Sequence, residues 1–266
     1  MDIEAVFNLH SQGAGTQPMV FAHGFGCNQS MWRWVAPAFE PGYRVILFDL
    51  AGSGQSQRAA YDSSRHSTLN GYARDVLNIV RGLDLHDVIF VGHSVSAMIG
   101  ALAAIDAPDR FARLIMVGPS PCYINDDGYV GGFSRGDIDG LIDALDSNYL
   151  GWASTLAPII MGTPDRPELV HELENSFCLM DPLIARAFAK VTFLSDSRSD
   201  LARVETPCLV IQVSHDVIAP VSVGRFVHHS LRDSELVVLE TRGHCPHLSA
   251  PKATVAAMKA FLERST

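Results

Sequence analysis

The sequence predicts an α/β fold, a mostly parallel sheet with helices on both faces and a helical cap inserted into it. Three observations carry this. Six short apolar runs alternate with segments of helical period, the pattern of parallel strands joined by crossover helices. The alternation stops between about residues 123 and 191, where no strand reads and several short helices do. The chain has 266 residues, 47% of them hydrophobic and only 18% charged, enough to bury one sizeable core.

The elements follow in order. "AVFNLH" near the N-terminus reads as an edge strand. "PMVFAHG" (18–24) is a buried strand running into a glycine turn, and "YRVILFD" (43–49) is another that ends at Asp49. From Leu69 to Leu83, apolar residues at Leu69, Tyr72, Val76, Ile79, Val80 and Leu83 fall at helical spacing, with Ser67 or Thr68 as N-cap. "DVIFVGH" (87–93) is the third strand, and Ala97–Ile105 is small and apolar all round, as suits a helix packed on the middle of a sheet. "RLIMVGP" (113–119), "PCLVIQV" (207–213) and "ELVVLE" (235–240) complete the set, and a last helix spans about Lys252–Leu262 behind Pro251. The domain reading is a core of 1–122 and 192–266 with 123–191 as cap. The cap's apolar residues need a surface to bury against, and the carboxyl edge of the sheet is the free one.

Several function classes are excluded or disfavoured. A net charge of −9 without a Lys/Arg cluster argues against nucleic acid. No basic leader precedes an apolar segment, and no apolar run approaches the roughly 20 residues of a bilayer span, so the expectation is a cytoplasmic protein with no membrane contact. Cys27, Cys122, Cys178, Cys208 and Cys245 are odd in number and lack metal-ligand spacing, so they read as buried thiols, with no metal and no cofactor expected.

The stretch "VGHSVSA" (91–97) carries the chemistry. A strand, a sharp turn and a helix around Ser94 form the setting of a nucleophile elbow, although the usual G-x-S-x-G ends here in Ser96 rather than glycine. A serine nucleophile needs a base and an orienting acid, which in this topology follow later strands in the order Ser, Asp, His. Asp216 follows the 207–213 strand and His244 the 235–240 strand, so all three fall at carboxyl ends of strands. Each has an alternative: Asp216 as a cap for the helix near Pro220, His247 as a competing base. His244 is preferred because it directly follows the turn glycine Gly243. Oxyanion donors are expected from the N–H of Val95 and of Phe25, the latter in "HGFGCN" (23–28), where the Phe25 ring would also wall the pocket and His23 would brace the loop. "FDLAGSGQS" (48–56) lacks the lysine and helix of a phosphate loop and reads as a turn. A dehalogenase would need aspartate at position 94; a cofactor-free oxygenase or a hydroxynitrile lyase can share the triad.

Through "HGFGCN", "FDLAGSGQS", "GHSVSAMIG", "VGPSPCYIND", "NYLGWA" and "RGHCPHLSAP" the chain resembles the RsbQ-type α/β-hydrolases and their relatives, the plant karrikin and strigolactone receptors. The resemblance implies the α/β-hydrolase fold, the triad Ser94, Asp216 and His244, oxyanion donors Phe25 and Val95, and a four-helix, V-shaped cap over a hydrophobic pocket. It also implies pocket aromatics at Tyr123, Trp152 and Phe193, while Leu156 stands where karrikin receptors carry phenylalanine. The expected function is hydrolysis of a small hydrophobic ester, lactone or enol ether. The alternative is a sensor that binds or slowly cleaves a small signal molecule and contacts a protein partner through the cap.

Overall fold

The computed structural model describes residues 2–264. Its strands are β1 (His10–Gln12), β2 (Pro18–Ala22), β3 (Arg44–Phe48), β4 (Val88–His93), β5 (Phe111–Val117), β6 (Cys208–His215) and β7 (Ser234–Arg242). They form one sheet in the order β1-β3-β2-β4-β5-β6-β7, every neighbouring pair parallel except β1 with β3. Side chains alternate across a strand, so β2 sends Val20 and Ala22 to one face and Met19 and Phe21 to the other. The first face packs under α2 (Leu69–Gly82), α3 (Val95–Asp106) and α8 (Val221–Ser230); the second packs under Trp32, Phe39 and α10 (Pro251–Arg264). Both faces are covered, which is why β2 and β4 are buried at every position.

One expectation is corrected at the N-terminus. The run "AVFNLH" is not a strand: Asp2 accepts the N–H groups of Glu4 and Ala5, which starts the short helix α1 (Ile3–Val6). Asn8 then turns with φ 47°, and the edge strand begins only at His10. Capping of α2 also differs. Thr68 holds the N-cap position, but its side chain makes no capping bond.

Between β5 and β6 come four helices: α4 (Arg135–Ser147), α5 (Tyr149–Met161), α6 (Pro167–Cys178) and α7 (Pro182–Phe193). Local chemistry defines their ends. Ser134 and Asp137 form a capping box for α4, Asn148 caps α5, Gly162 closes α5 at φ 65°, and Asp181 caps α7. Their apolar faces (Ile138, Trp152, Leu173 and Phe193 among them) share a cluster with Cys27, Met31, Cys245 and Leu248 from the segments that follow β2 and β7 at the sheet's carboxyl edge. The insertion therefore roofs that edge. The chain closes with α9 (Pro246–Ser249), which follows β7 and precedes α10.

Candidate active site

Ser94 stands between β4 and α3 at φ 56° and ψ −124°, a backbone conformation that L-residues avoid unless the surroundings impose it. The imposition is visible. The Ser94 N–H donates to the Val117 carbonyl at 2.8 Å, and a side chain at Gly92 would collide with the Ser96 carbonyl. Ser96, the departure from the usual elbow pattern, is fully buried, and its hydroxyl donates to the His23 carbonyl at 2.5 Å. The extra hydroxymethyl group thus ties the elbow to the loop after β2.

Asp216 follows β6 directly. Its Oδ2 accepts Nδ1–H of His244 at 2.7 Å, while Oδ1 accepts the N–H groups of Ile218 (2.8 Å) and Ala219 (3.1 Å). Of the two roles the sequence posed, the structure shows the orienting one: α8 has Pro220 at its N-cap and no side-chain capping bond, and the Oδ1 contacts of Asp216 close the turn that precedes it. With Nδ1 protonated against the carboxylate, Nε2 is free to accept the Ser94 hydroxyl at 2.8 Å. His244 is steadied further by its own N–H, which donates to Ile160 in α5 at 2.7 Å. Gly118 at the end of β5, with φ 59°, lets the ring approach: a Cβ there would come within 3.2 Å of Cε1. All three side chains are buried.

His247 lies elsewhere. Its ring sits against Trp32 (4.6 Å between centroids) and His93 (4.4 Å), and burial pushes its pKa down to about 3. Burial likewise pushes the Cys245 thiol well above its ordinary range.

The loop after β2 is braced by His23, whose Nδ1–H donates to Gly24 O at 2.8 Å while Nε2 accepts the Leu50 N–H at 3.0 Å. Gly26, at φ 72°, is required by packing, since a Cβ there would overlap the Phe177 ring. Phe25 projects between them as the hub of an aromatic cage, its centroid 5.5–6.0 Å from Phe188, Trp152, Phe177 and Phe193. Val95 opens α3, so its N–H has no carbonyl one turn back to bond.

A small cavity of about 40 Å³ adjoins Ser94 and His244. Phe25, Tyr123 and Phe193 line it, joined by Ile160, Leu173, Phe177 and Ile218, which sequence reasoning did not single out. Burial raises the Tyr123 phenol to about 12, so it is a neutral hydroxyl. Trp152 is not among the residues that line the cavity. Its ring packs edge-on against Phe25 and Phe177, one layer behind the wall. Only Gly118 had a sequence signal that could have found it, a glycine just past a strand. Phe177 and Ile160 lie on helices whose downward face the local sequence does not reveal.

The model of a family described as "Alpha/beta hydrolase family" matches residues 19–257. Among curated proteins, the chain is 40% identical over 254 residues to "Karrikin insensitive 2 receptor CA" of Petunia hybrida, covering 95% of this chain and 94% of that one. It is 39% identical over 265 residues to "Strigolactone esterase D14" of Arabidopsis thaliana, covering 99% and 97%. Among solved structures, a hydrolase from Oleispira antarctica superposes with a TM-score of 0.96 at 41% identity, covering 98% of this chain and 96% of that one.

Proposed function

The chain belongs to the alpha/beta hydrolase family, and from that premise we propose that it is a serine hydrolase for a small hydrophobic ester, lactone or enol ether. The observation that carries the reading is the unbroken line from Asp216 through His244 to Ser94, ending at a largely apolar cavity. Ser94 Oγ attacks the carbonyl carbon as its proton passes to His244 Nε2. Asp216 holds the imidazole in place and stabilises the cation that forms. The N–H groups of Phe25 and Val95 receive the developing oxyanion. The proton then moves from His244 to the leaving oxygen, and a water, deprotonated in turn by His244, releases the acyl group from Ser94. Residues 123–191 act as the cap that excludes bulk water, and the apolar lining selects a ligand with little charge. A set of aryl acetates, butyrates and γ-lactones tests this: steady turnover is expected for short apolar acyl groups, and turnover confined to charged or long-chain esters would overturn the substrate class.

A second reading is favoured by the relatives' printed names, which include both a receptor and an esterase. In it the same pocket cleaves its ligand slowly and the cap carries the message to a protein partner in the cytoplasm. Exposed Leu179 and Leu183, at the junction of α6 and α7, give the cap an apolar outer face. No helix among the described residues is long and apolar enough to cross a membrane. A turnover assay with substrate in excess separates the two readings: many rapid cycles support the enzyme, and one slow event followed by a persistent adduct supports the sensor.

A further inference from the structure

A second cluster of reactive side chains lies beside the triad, and the proposed hydrolysis does not use it. Donor atoms of His93, Cys245 and His247 all fall within 4.8 Å of one another, and all three residues are buried. His93 comes from the end of β4, while Cys245 and His247 follow β7, some 150 residues later.

The hydrogen bonding of this cluster is incomplete. His93 donates Nε2–H to the His244 carbonyl at 2.9 Å, which puts its proton on Nε2 and leaves a lone pair on Nδ1. That Nδ1 has no partner within the protein, and neither has either nitrogen of His247. An unmet buried polar atom is destabilising, so three in one place point to a missing partner. Burial holds both imidazoles neutral, so each offers a lone pair rather than a second proton. Two imidazole lone pairs and a thiol suit a borderline-soft metal ion.

We propose that His93 Nδ1, Cys245 Sγ and His247 bind one transition-metal ion of the zinc(II) class. The bond from His93 to the His244 carbonyl is the outer support that metal-bound histidines commonly have, fixing tautomer and ring orientation. Zinc holds nitrogen at about 2.0 Å and sulfur at about 2.3 Å, hence about 3.3–3.5 Å from one another, so the most separated of these donors need close by up to about 1.5 Å. His93 and Cys245 also line the cavity beside Ser94, which supplies an access route and room for a fourth, water ligand. Binding exchanges a proton for the metal: the Cys245 S–H bond breaks, the sulfur–metal bond forms from the same electron pair, and one proton leaves to solvent. Since His93 also holds the backbone of His244, the ion would stiffen the segment that carries the proposed base.

The experiment titrates chelator-treated protein with Co²⁺, then with Zn²⁺. One equivalent should bind, with a near-ultraviolet thiolate-to-cobalt charge-transfer band and release of one proton. Zn²⁺ should also raise the melting temperature. Cys245→Ser should abolish the band, Cys27→Ser should leave it intact, and His247→Gln should weaken binding at least about tenfold. Zinc-edge X-ray absorption on the wild-type protein needs no variant: one sulfur at about 2.3 Å with two imidazoles is expected. A shell of nitrogen and oxygen only, a band that follows Cys27 instead, or no binding, leaving ordered water as the partner of these nitrogens, would overturn the proposal.

Discussion

The two sides of the cavity are held by different forces. On the sheet side, Ser94, Asp216, His244, Ser96 and His23 are tied by hydrogen bonds of 2.5–3.1 Å to strand ends and to one another. On the roof side, Phe177, Phe188 and Phe193 meet the Phe25 ring at 5.5–6.0 Å, with Trp152 behind them. Hydrogen bonds are directional, so the sheet side keeps reacting atoms in one geometry. Apolar contacts are not directional, so the roof can change its contents while the chemistry beneath stays in register. The difference teaches where rate and selectivity should separate, and substitutions on each side can break or sharpen that division.

The largest expected effect is on the sheet side. Ser94→Ala should lower kcat/KM by about 10⁴-fold or more, since triad members act as a unit. It should barely move the melting temperature, because only one hydroxyl is lost. A fluorophosphonate probe should label the wild-type chain at Ser94, as read by peptide mass spectrometry, and fail on the variant. Labelling that persists unchanged in Ser94→Ala would place the nucleophile elsewhere.

The roof should behave in the opposite way. Phe193→Ala removes an apolar wall that touches bound and reacting ligand alike, so KM should rise about tenfold for small esters while kcat changes only a few-fold. Bulkier acyl groups should lose less, or gain. A fall in kcat as steep as that of Ser94→Ala, with KM unchanged, would mean the roof positions the reacting atoms and the division fails.

Legibility divides along the same line. The convergence of Ser94, Asp216 and His244 could be read from sequence because each follows a strand, and strand ends in a parallel sheet meet on one edge. Ser96 raised a question that only coordinates could answer, since the atom that receives its hydroxyl is the His23 carbonyl, 73 residues away. The roof was legible as helices but not as a wall: Trp152 and Phe193 look alike in sequence, yet α5 turns one ring behind Phe25 while α7 brings the other to the cavity. The cysteine spacing was silent about His93 for the same reason, because the pairing of β4 with β5, β5 with β6 and β6 with β7 brings it to Cys245. The failed edge strand has a local cause, the Asp2 cap, which outweighs a short apolar run.

Acid should act mainly on the sheet side, where buried imidazoles are kept neutral. His247 has its pKa lowered to about 3 in the fold, against 6.5 when exposed. As pH falls below 6.5, the unfolded chain therefore takes up a proton that the folded chain refuses. The stability is complete above that value and is lost progressively toward pH 3. At pH 5 the gap is about 1.5 units, or about 2 kcal/mol. His247→Gln carries no such proton, so in urea melts of chelator-treated protein its loss between pH 7.5 and pH 5 should be smaller than that of wild type by about this amount. Equal losses would show that His247 protonates within the fold and that this part of the sheet side is wetter than its burial implies.

The smallest expected effect tests the boundary between wall and backing. Trp152 is buried, and its Nε1–H has no partner within the protein. Its ring meets Phe25 and Phe177 rather than the cavity. Trp152→Phe keeps the aromatic contacts and discards the unpartnered donor. The volume lost should cost about 1–2 kcal/mol, and relief of the unmet N–H should return about 1–3 kcal/mol, so the two nearly cancel. Melting should then stay within a few degrees of wild type, and the ratio of kcat/KM between short and long acyl esters should not move. If that ratio shifts as it does for Phe193→Ala, the Trp152 ring or its N–H reaches the ligand, and the roof is one layer thick rather than two.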